Sequence, residues 1–285
     1  MIEAKVICDS VTVDGHRLTT VEATYPRFVH AELMTHRVFS RNTASSRAIP
    51  LSKTTTRVTH GPAMPVEWGK NQSGMQAREL LDEDAAMLAR VVWENAAFRA
   101  VESANALAEL NVHKQIANRV LEPFLSHTAI VSATEWDGFF AQRCHPDAQP
   151  EIRELAVAVK KVIQDSRPTV LRRGEWHLPY LRPAEKEELG FEALKVSVAR
   201  CARVSYLTHD GVRDTAKDLE LYERLVTARP MHASPLEHVA RPDPSNMQMV
   251  PVEDMQGRIA KYVVLPRLGN FLGWQQLRHI IEAAA

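Results

Sequence analysis

The sequence predicts one α+β domain, and three observations carry that prediction. Two N-terminal stretches rich in β-branched residues flank an Asp-Gly turn. Residues 74 to 122 then show apolar residues at helical spacing. No internal repeat and no low-complexity linker divides the 285 residues.

Taken in order, residues 2 to 10 (IEAKVICDS) and 17 to 25 (RLTTVEATY) read as the two arms of a hairpin closed by VDGH. Pro26 opens a short helix over FVHAELMTHR, because proline suits a first helical turn. The hydroxyl-rich stretch SRNTASSRAIPLSKTTTR then reads as a loop. In the long helical region Leu80, Leu81, Met87, Leu88, Val91, Val92 and Trp93 recur, then Leu107, Leu110 and Val112, with Asn111 as a break. TAIVSAT (128 to 134) fits a buried strand or the start of an apolar helix, and length alone does not decide. A helix over Asp147 to Asp165 aligns Ile152, Leu155, Ala156, Val159 and Ile163 in one stripe. Further helices are expected near 192 to 204 and 214 to 228. Residues 241 to 258 read as a mobile loop or an insertion, and FLGWQQLRHIIEAAA as an amphipathic helix.

Composition narrows the function. Hydrophobic residues make up 45% and charged residues 25%, enough for a sizeable core. Lys plus Arg equals Asp plus Glu at 35 each, so no overall field favours nucleic acid or a membrane, and any anion must be held by clustered arginines. Cys8, Cys144 and Cys201 are too few for a disulfide framework and lack zinc spacing, which points to a reducing, cytoplasmic setting and no metal site. The N-terminus lacks a signal-peptide pattern, and nothing approaches 18 consecutive apolar residues.

The densest polar run is His36-Arg37-Val-Phe-Ser40-Arg41-Asn42-Thr-Ala-Ser45-Ser46-Arg47. Its arginines suit bidentate contact with phosphate oxygens, and its serines add donors. The plainer reading is a solvated loop. Yet His36-Arg37, seven residues, then Ser45-x-Arg47 resembles the signature of the flavin-dependent thymidylate synthases, with Thr35 and Thr43 replacing an arginine and a glutamate. LAELNVHKQIANRVLEP (107 to 123) is similar to the family helix ending in Ala-Arg-x-Val-Leu-Pro, with Arg119 in the arginine position. WDGFFAQRCHPDAQPEIRELA (136 to 156) supplies Arg143, with Gly138 where the family carries an asparagine. ARVSY (202 to 206) and His232-Ala-Ser234-Pro-Leu-Glu237-His238 resemble the block that normally opens the family, here moved to the C-terminal side. The order looks circularly permuted, of a phage type, and permutation is tolerable where termini lie close.

The resemblance implies a small mixed sheet flanked by helices, a homotetramer with shared active sites, and one-carbon transfer from methylene-tetrahydrofolate to C5 of dUMP. FAD would relay carbon and hydride, and NADPH would reduce it. It implies Ser45, Arg47 and Arg119 on the nucleotide phosphate and Arg143 facing the uracil carbonyl. His36, Arg37 and Asn42 would line the flavin, and His238 would lie near flavin and folate. The plain alternative for Arg143 is an ion pair with Glu151 or Glu154 on a helix surface, and for His238 a satisfied structural histidine. Glu237 is expected to cap or pair locally, and Cys144 to pack as a small apolar group. Trp274, Gln275, Gln276 and Arg278 lie beyond the match and read as a terminal helix with its apolar side packed, the alternative being that Gln275 and Arg278 reach a nucleotide. Thr35, Thr43 and Gly138 would also suit hydroxymethylation of dUMP. A non-catalytic nucleotide- or flavin-binding relative is the reading of another class, disfavoured by the joint retention of Ser45, Arg47, Arg119, Arg143 and His238.

Overall fold

The computed structural model describes residues 2–204, 213–256 and 258–284. Ser205 and Tyr206 of the ARVSY stretch lie outside the described residues.

The expected hairpin forms: β1 (Glu3–Thr12) and β2 (Arg17–Pro26) pair antiparallel around Gly15, which takes φ +90° in the turn. A short helix, α1 (His30–Met34), follows Pro26. The next stretch departs from expectation. Ser40–Thr43 is a strand, β3, and Leu51–His60 is a helix, α2, where the sequence reads as one loop. Tertiary contacts make the difference. Ser40 pairs with Ser132 in the sheet, and the Thr54 hydroxyl donates to buried Asn118 Oδ1 while Val58 packs inward.

The long helix, α3, spans Glu83–Glu109 and starts at Asp82, whose carboxylate accepts from the Ala85 amide; residues 74 to 82 are not helical. Asn111 takes φ +61° and breaks the chain as expected, before α4 (Lys114–Ala117) and a 3₁₀ turn over Asn118–Phe124. The undecided apolar run is a strand, β4 (Ser126–Ala133). Helices α5 (Asp137–Arg143) and α6 (Pro150–Asp165) follow, α6 starting at Pro150 rather than Asp147 because proline takes its first turn.

The sheet order is β3-β4-β2-β1-β5, where β5 (Thr169–Leu171) runs parallel to β1 and the other pairs are antiparallel. This is a mixed sheet in an α+β fold. Both faces are buried. On one, Val21, Ala23, Tyr25, Val131 and Ala133 meet the α6 stripe Ile152, Leu155, Ala156 and Val159. Each fully buried Val, Ile or Leu among them contributes roughly 1.5–3 kcal/mol. The opposite face carries Thr20, Ile130 and Ser132, a polar-apolar mix, because side chains alternate along a strand.

In the C-terminal part, α8 (Glu192–Arg203) reaches that second face, where Cys201 and Val204 pack on Ile130, and α7 (Pro183–Leu189) and α9 (Thr215–Thr227) pack against α8. Residues 241 to 258 are largely regular: β6 (Ala240–Pro242) begins there, and β7 (Gln248–Glu253) pairs with β8 (Ile259–Leu265) in a hairpin. The C-terminus is not helical throughout. Trp274–Gln276 is a strand, β9, paired with β6, and only Leu277–Ala284, α10, is helix. Among the described residues no helix is long and apolar enough to cross a membrane.

Candidate functional site

Arg143 ends α5 and reaches back to the end of α1. Its Nε donates to His36 Nε2 at 3.0 Å, and Nη2 donates to Thr35 Oγ1 at 3.1 Å. Among the described residues Arg143 makes no ion pair. Glu151 is occupied elsewhere, accepting from the Val66 amide (2.8 Å) and from Gln149 (3.1 Å). His36 lies against Phe39 and edge-on to Phe139 at 4.9 Å. Burial, then the charges of Arg143 and Arg41, hold its pKa below the ordinary histidine value, so it is neutral at pH 7. Its Nε2 accepts, which puts the proton on Nδ1. Arg41 fixes this corner by donating to the Met34 (2.9 Å) and His36 (3.2 Å) carbonyls at the end of α1. The result is a cation held by neutral partners.

The turn after β3 carries Ser45, Ser46 and Arg47. Ser45 is half-buried and Arg47 exposed, with no ion pair among the described residues. Asn118, fully buried, shapes the turn: Nδ2 donates to the Ser46 (2.7 Å) and Ile49 (3.0 Å) carbonyls, and Oδ1 accepts from Thr54 (2.6 Å). Arg119 does not stand free; it pairs with Glu122 at 2.9 Å. Beside the turn lies a small cavity of about 40 Å³, lined by Arg27, Ser46, Thr54, Arg57, His127 and Thr128 among others. His127 Nδ1 accepts from Arg27 at 3.1 Å, its Nε2 is buried without a partner, and burial first, then His30 and Arg27, lower its pKa to about 3. Sequence reasoning did not single out Arg27, Asn118, Glu122 or His127. The one available signal was Glu122 three residues after Arg119, a helical pairing distance.

Arg37 is exposed and has no ion pair among the described residues, whereas Asn42 faces inward. The Asn42 amide donates to the Cys201 carbonyl (2.8 Å) and accepts from Ser234 (3.3 Å), tying β3 to α8 and to the 232–238 stretch. His238 has no exposed surface. It ends a buried chain: Ser10 to His177 (2.8 Å), His177 to Thr20 (2.8 Å), Thr20 to Ser132 (2.6 Å), and Ser132 to His238 Nδ1 (2.8 Å). His238 Nε2 has no partner, and burial lowers its pKa to about 3. The enclosure of His238 keeps it from touching a bound molecule in this arrangement.

The remaining residues are held within the fold. Glu237 pairs with Arg278 (2.5 Å), Gln275 accepts from Arg241 (2.8 Å), and Trp274 is buried, donating to the His16 carbonyl. Burial raises the Cys144 thiol pKa against the opposing charge of Lys160, which keeps it protonated. Among the described residues no group of three or more His, Cys, Asp or Glu side chains could hold a metal.

A family model for the thymidylate synthase complementing proteins matches residues 12–169, more than half of the chain. The chain belongs to that family. The family is flavin-dependent. The matched stretch includes His36, Arg37, Asn42, Ser45, Arg47, Arg119 and Arg143; His238 and the block at 202–238 lie beyond it. No curated protein matches. Among solved structures, the UMP/dUMP methylase PolB from Streptomyces cacaoi bound with 5-Br dUMP is similar at 16% identity and a TM-score of 0.48. The similarity covers 58% of this chain and 90% of that one. The same methylase bound with 5-Br UMP gives 16% identity and a TM-score of 0.44, covering 58% and 88%.

Proposed function

We propose that this chain transfers a one-carbon unit from methylene-tetrahydrofolate to C5 of dUMP, giving dTMP, with FAD bound and NADPH as reductant. Family membership supports one-carbon chemistry at C5 of a uracil nucleotide in general. The observation that carries the finer reading is Arg143, a guanidinium positioned by neutral His36 and Thr35 with no ion pair among the described residues. Such a group can stabilise charge developing on the uracil carbonyl as C5 becomes nucleophilic. A donor of this kind is worth roughly 3 kcal/mol of barrier.

In this reading Ser45, Arg47 and Arg119 bind the nucleotide phosphate. Arg37 fits the flavin's anionic groups, being exposed and free of ion pairs among the described residues, while His36 and Asn42 shape the cofactor wall from behind. FAD would carry the one-carbon unit and the hydride. His238 serves as a positioning residue, through Ser132 on β4. The rotated chain order is supported by the way the C-terminal block meets the N-terminal sheet: Ser234 on Asn42, and Gln276 on Ser40 (2.9 Å). Those contacts also support one domain over 1–285. Exposed Leu88, Val91, Val92 and Phe98 on α3 support a homotetramer, since an apolar face of that kind calls for a cover. Three free cysteines support a reducing, cytoplasmic setting.

A second reading, hydroxymethylation of dUMP, is favoured by Gly138. A Cβ added there would meet nothing within 4 Å, so the position where the family carries asparagine is open, with room for the water such a product needs.

The test is an absorbance spectrum of the protein supplied with FAD, then mass analysis after dUMP, methylene-tetrahydrofolate and NADPH. A bound-flavin band with dTMP is expected. Hydroxymethyl-dUMP would establish the second reading, and failure to take up flavin would overturn both.

A further inference from the structure

The clearest anion cradle in the molecule is already filled, by the protein itself. Three donors converge on one oxygen of Glu122: Ser46 Oγ at 2.5 Å, Arg119 Nη1 at 2.9 Å and Arg27 Nη2 at 3.1 Å. Ser46 is buried and its backbone is clamped by Asn118, so its hydroxyl is aimed before any ligand arrives. The other end of the Arg27 fork rests on His127, which fixes its direction.

Charge in this corner is unbalanced. Arg27, Arg47, Arg57 and Arg119 stand around the turn and its cavity, and Arg47 and Arg57 have no ion pair among the described residues. Among the described residues, Glu122 is the one carboxylate that pairs with any of them. Burial alone would raise its pKa, but the Ser46 hydroxyl, Arg27 and Arg119 outweigh burial and keep the carboxyl below its usual range. The surplus cations match a dianion better than a single carboxylate. The cavity of about 40 Å³ shares Arg27 and Ser46 with this cluster and has room for roughly three water-sized groups, the scale of one phosphate.

We propose that Glu122 is a built-in stand-in for the phosphate of the nucleotide: its carboxylate holds the Ser46, Arg27 and Arg119 donors until the phosphate takes them. The inference rests on the nucleotide reading above and adds a residue that sets affinity for the phosphate alone. Glu122 lies on a 3₁₀ turn with its side chain 21% exposed, so it can swing toward solvent as the phosphate enters. The phosphate gains charge-assisted bonds only after three such bonds to Glu122 are broken. Its affinity is therefore held down by an internal competitor, as any binding-competent state that must first be released lowers apparent affinity.

The experiment compares the full chain with its Glu122→Gln variant, reading dissociation constants for dUMP and for deoxyuridine, and melting shifts in inorganic phosphate. Glutamine keeps the volume and removes the charge. Glu122→Asp, which withdraws the carboxylate by one methylene, is the companion variant should the first fold poorly. We expect about tenfold tighter dUMP binding in Glu122→Gln, an intermediate gain in Glu122→Asp, and unchanged deoxyuridine binding. Phosphate should raise the melting temperature of Glu122→Gln more than that of the unaltered chain. If the unaltered chain binds dUMP and Glu122→Gln binds it equally or more weakly, Glu122 is a support for the arginines and the proposal is overturned. Equal tightening of deoxyuridine overturns it too. Should neither chain bind dUMP while phosphate still favours Glu122→Gln, the phosphate stand-in holds and the nucleotide reading falls. Equal phosphate shifts in both would sink the stand-in.

Discussion

At the scale of single residues, the geometry of Arg143 is the sharpest claim. A guanidinium fork reaches His36 and Thr35 at once, whereas an ammonium is a point donor that cannot span both. Arg143→Lys should therefore keep the fold but lower kcat about 100-fold or more, the scale of a lost transition-state donor. Turnover within a few-fold of the unaltered chain, at an unchanged melting temperature, would remove Arg143 from the chemistry. The sequence marked His36 and the 45–47 turn because polar residues cluster there, and Arg143 because residues 136–156 resemble a family motif. It did not mark Asn118, which shapes the turn, because a buried asparagine has no signature until its three partners are brought around it.

At the scale of elements, the C-terminal helices are joined by a buried charge cluster. Asp218 on α9 accepts from Arg200 (3.0 Å) and Arg203 (2.7 Å) on α8, and its side chain is 2% exposed. Arg203, the arginine of ARVSY, is thereby committed to holding two helices together. Asp218→Asn leaves two buried guanidinium groups short of counter-charge, with Glu185 compensating Arg200 alone. It should cost about 3 kcal/mol by urea unfolding; a loss under about 1 kcal/mol would show that the cluster is solvated like a surface pair. Elements with strong periodicity, such as α6, were legible from sequence because their stripe needs only one partner surface. β3 and α2 were not, since their serines and threonines favour turns locally and become regular only when Ser132 and Asn118 accept them.

At the scale of the whole molecule, three buried histidines link the sheet to its surroundings: His127, His177 and His238, each held at a pKa of about 3, by burial first. In the unfolded chain each takes a proton near pH 6.5, and in the folded chain each resists until about pH 3. Their contribution to stability is therefore complete above pH 6.5 and lost progressively as pH falls from 6.5 toward 3. The slope is up to about 1.4 kcal/mol per pH unit for each histidine. The urea midpoint should drop clearly between pH 7 and pH 5. A midpoint that holds or rises over that interval would mean that these rings are already protonated in the fold.

The sequence alone determined the α+β class, the opening hairpin, the α6 stripe, the break at Asn111 and the motifs that place the chain in its family. Each depends on neighbours a few residues apart or on a pattern of residue types, and so survives without coordinates. Only the tertiary structure decided that β4 is a strand, that 248–253 and 259–265 form a hairpin, that His238 is enclosed, and that Glu122 occupies the arginine cradle. Apart from that hairpin, whose strands are close in sequence, those facts depend on groups more than seventy residues apart meeting in a buried, weakly screened space, where hydrogen bonds and charge outweigh local preference.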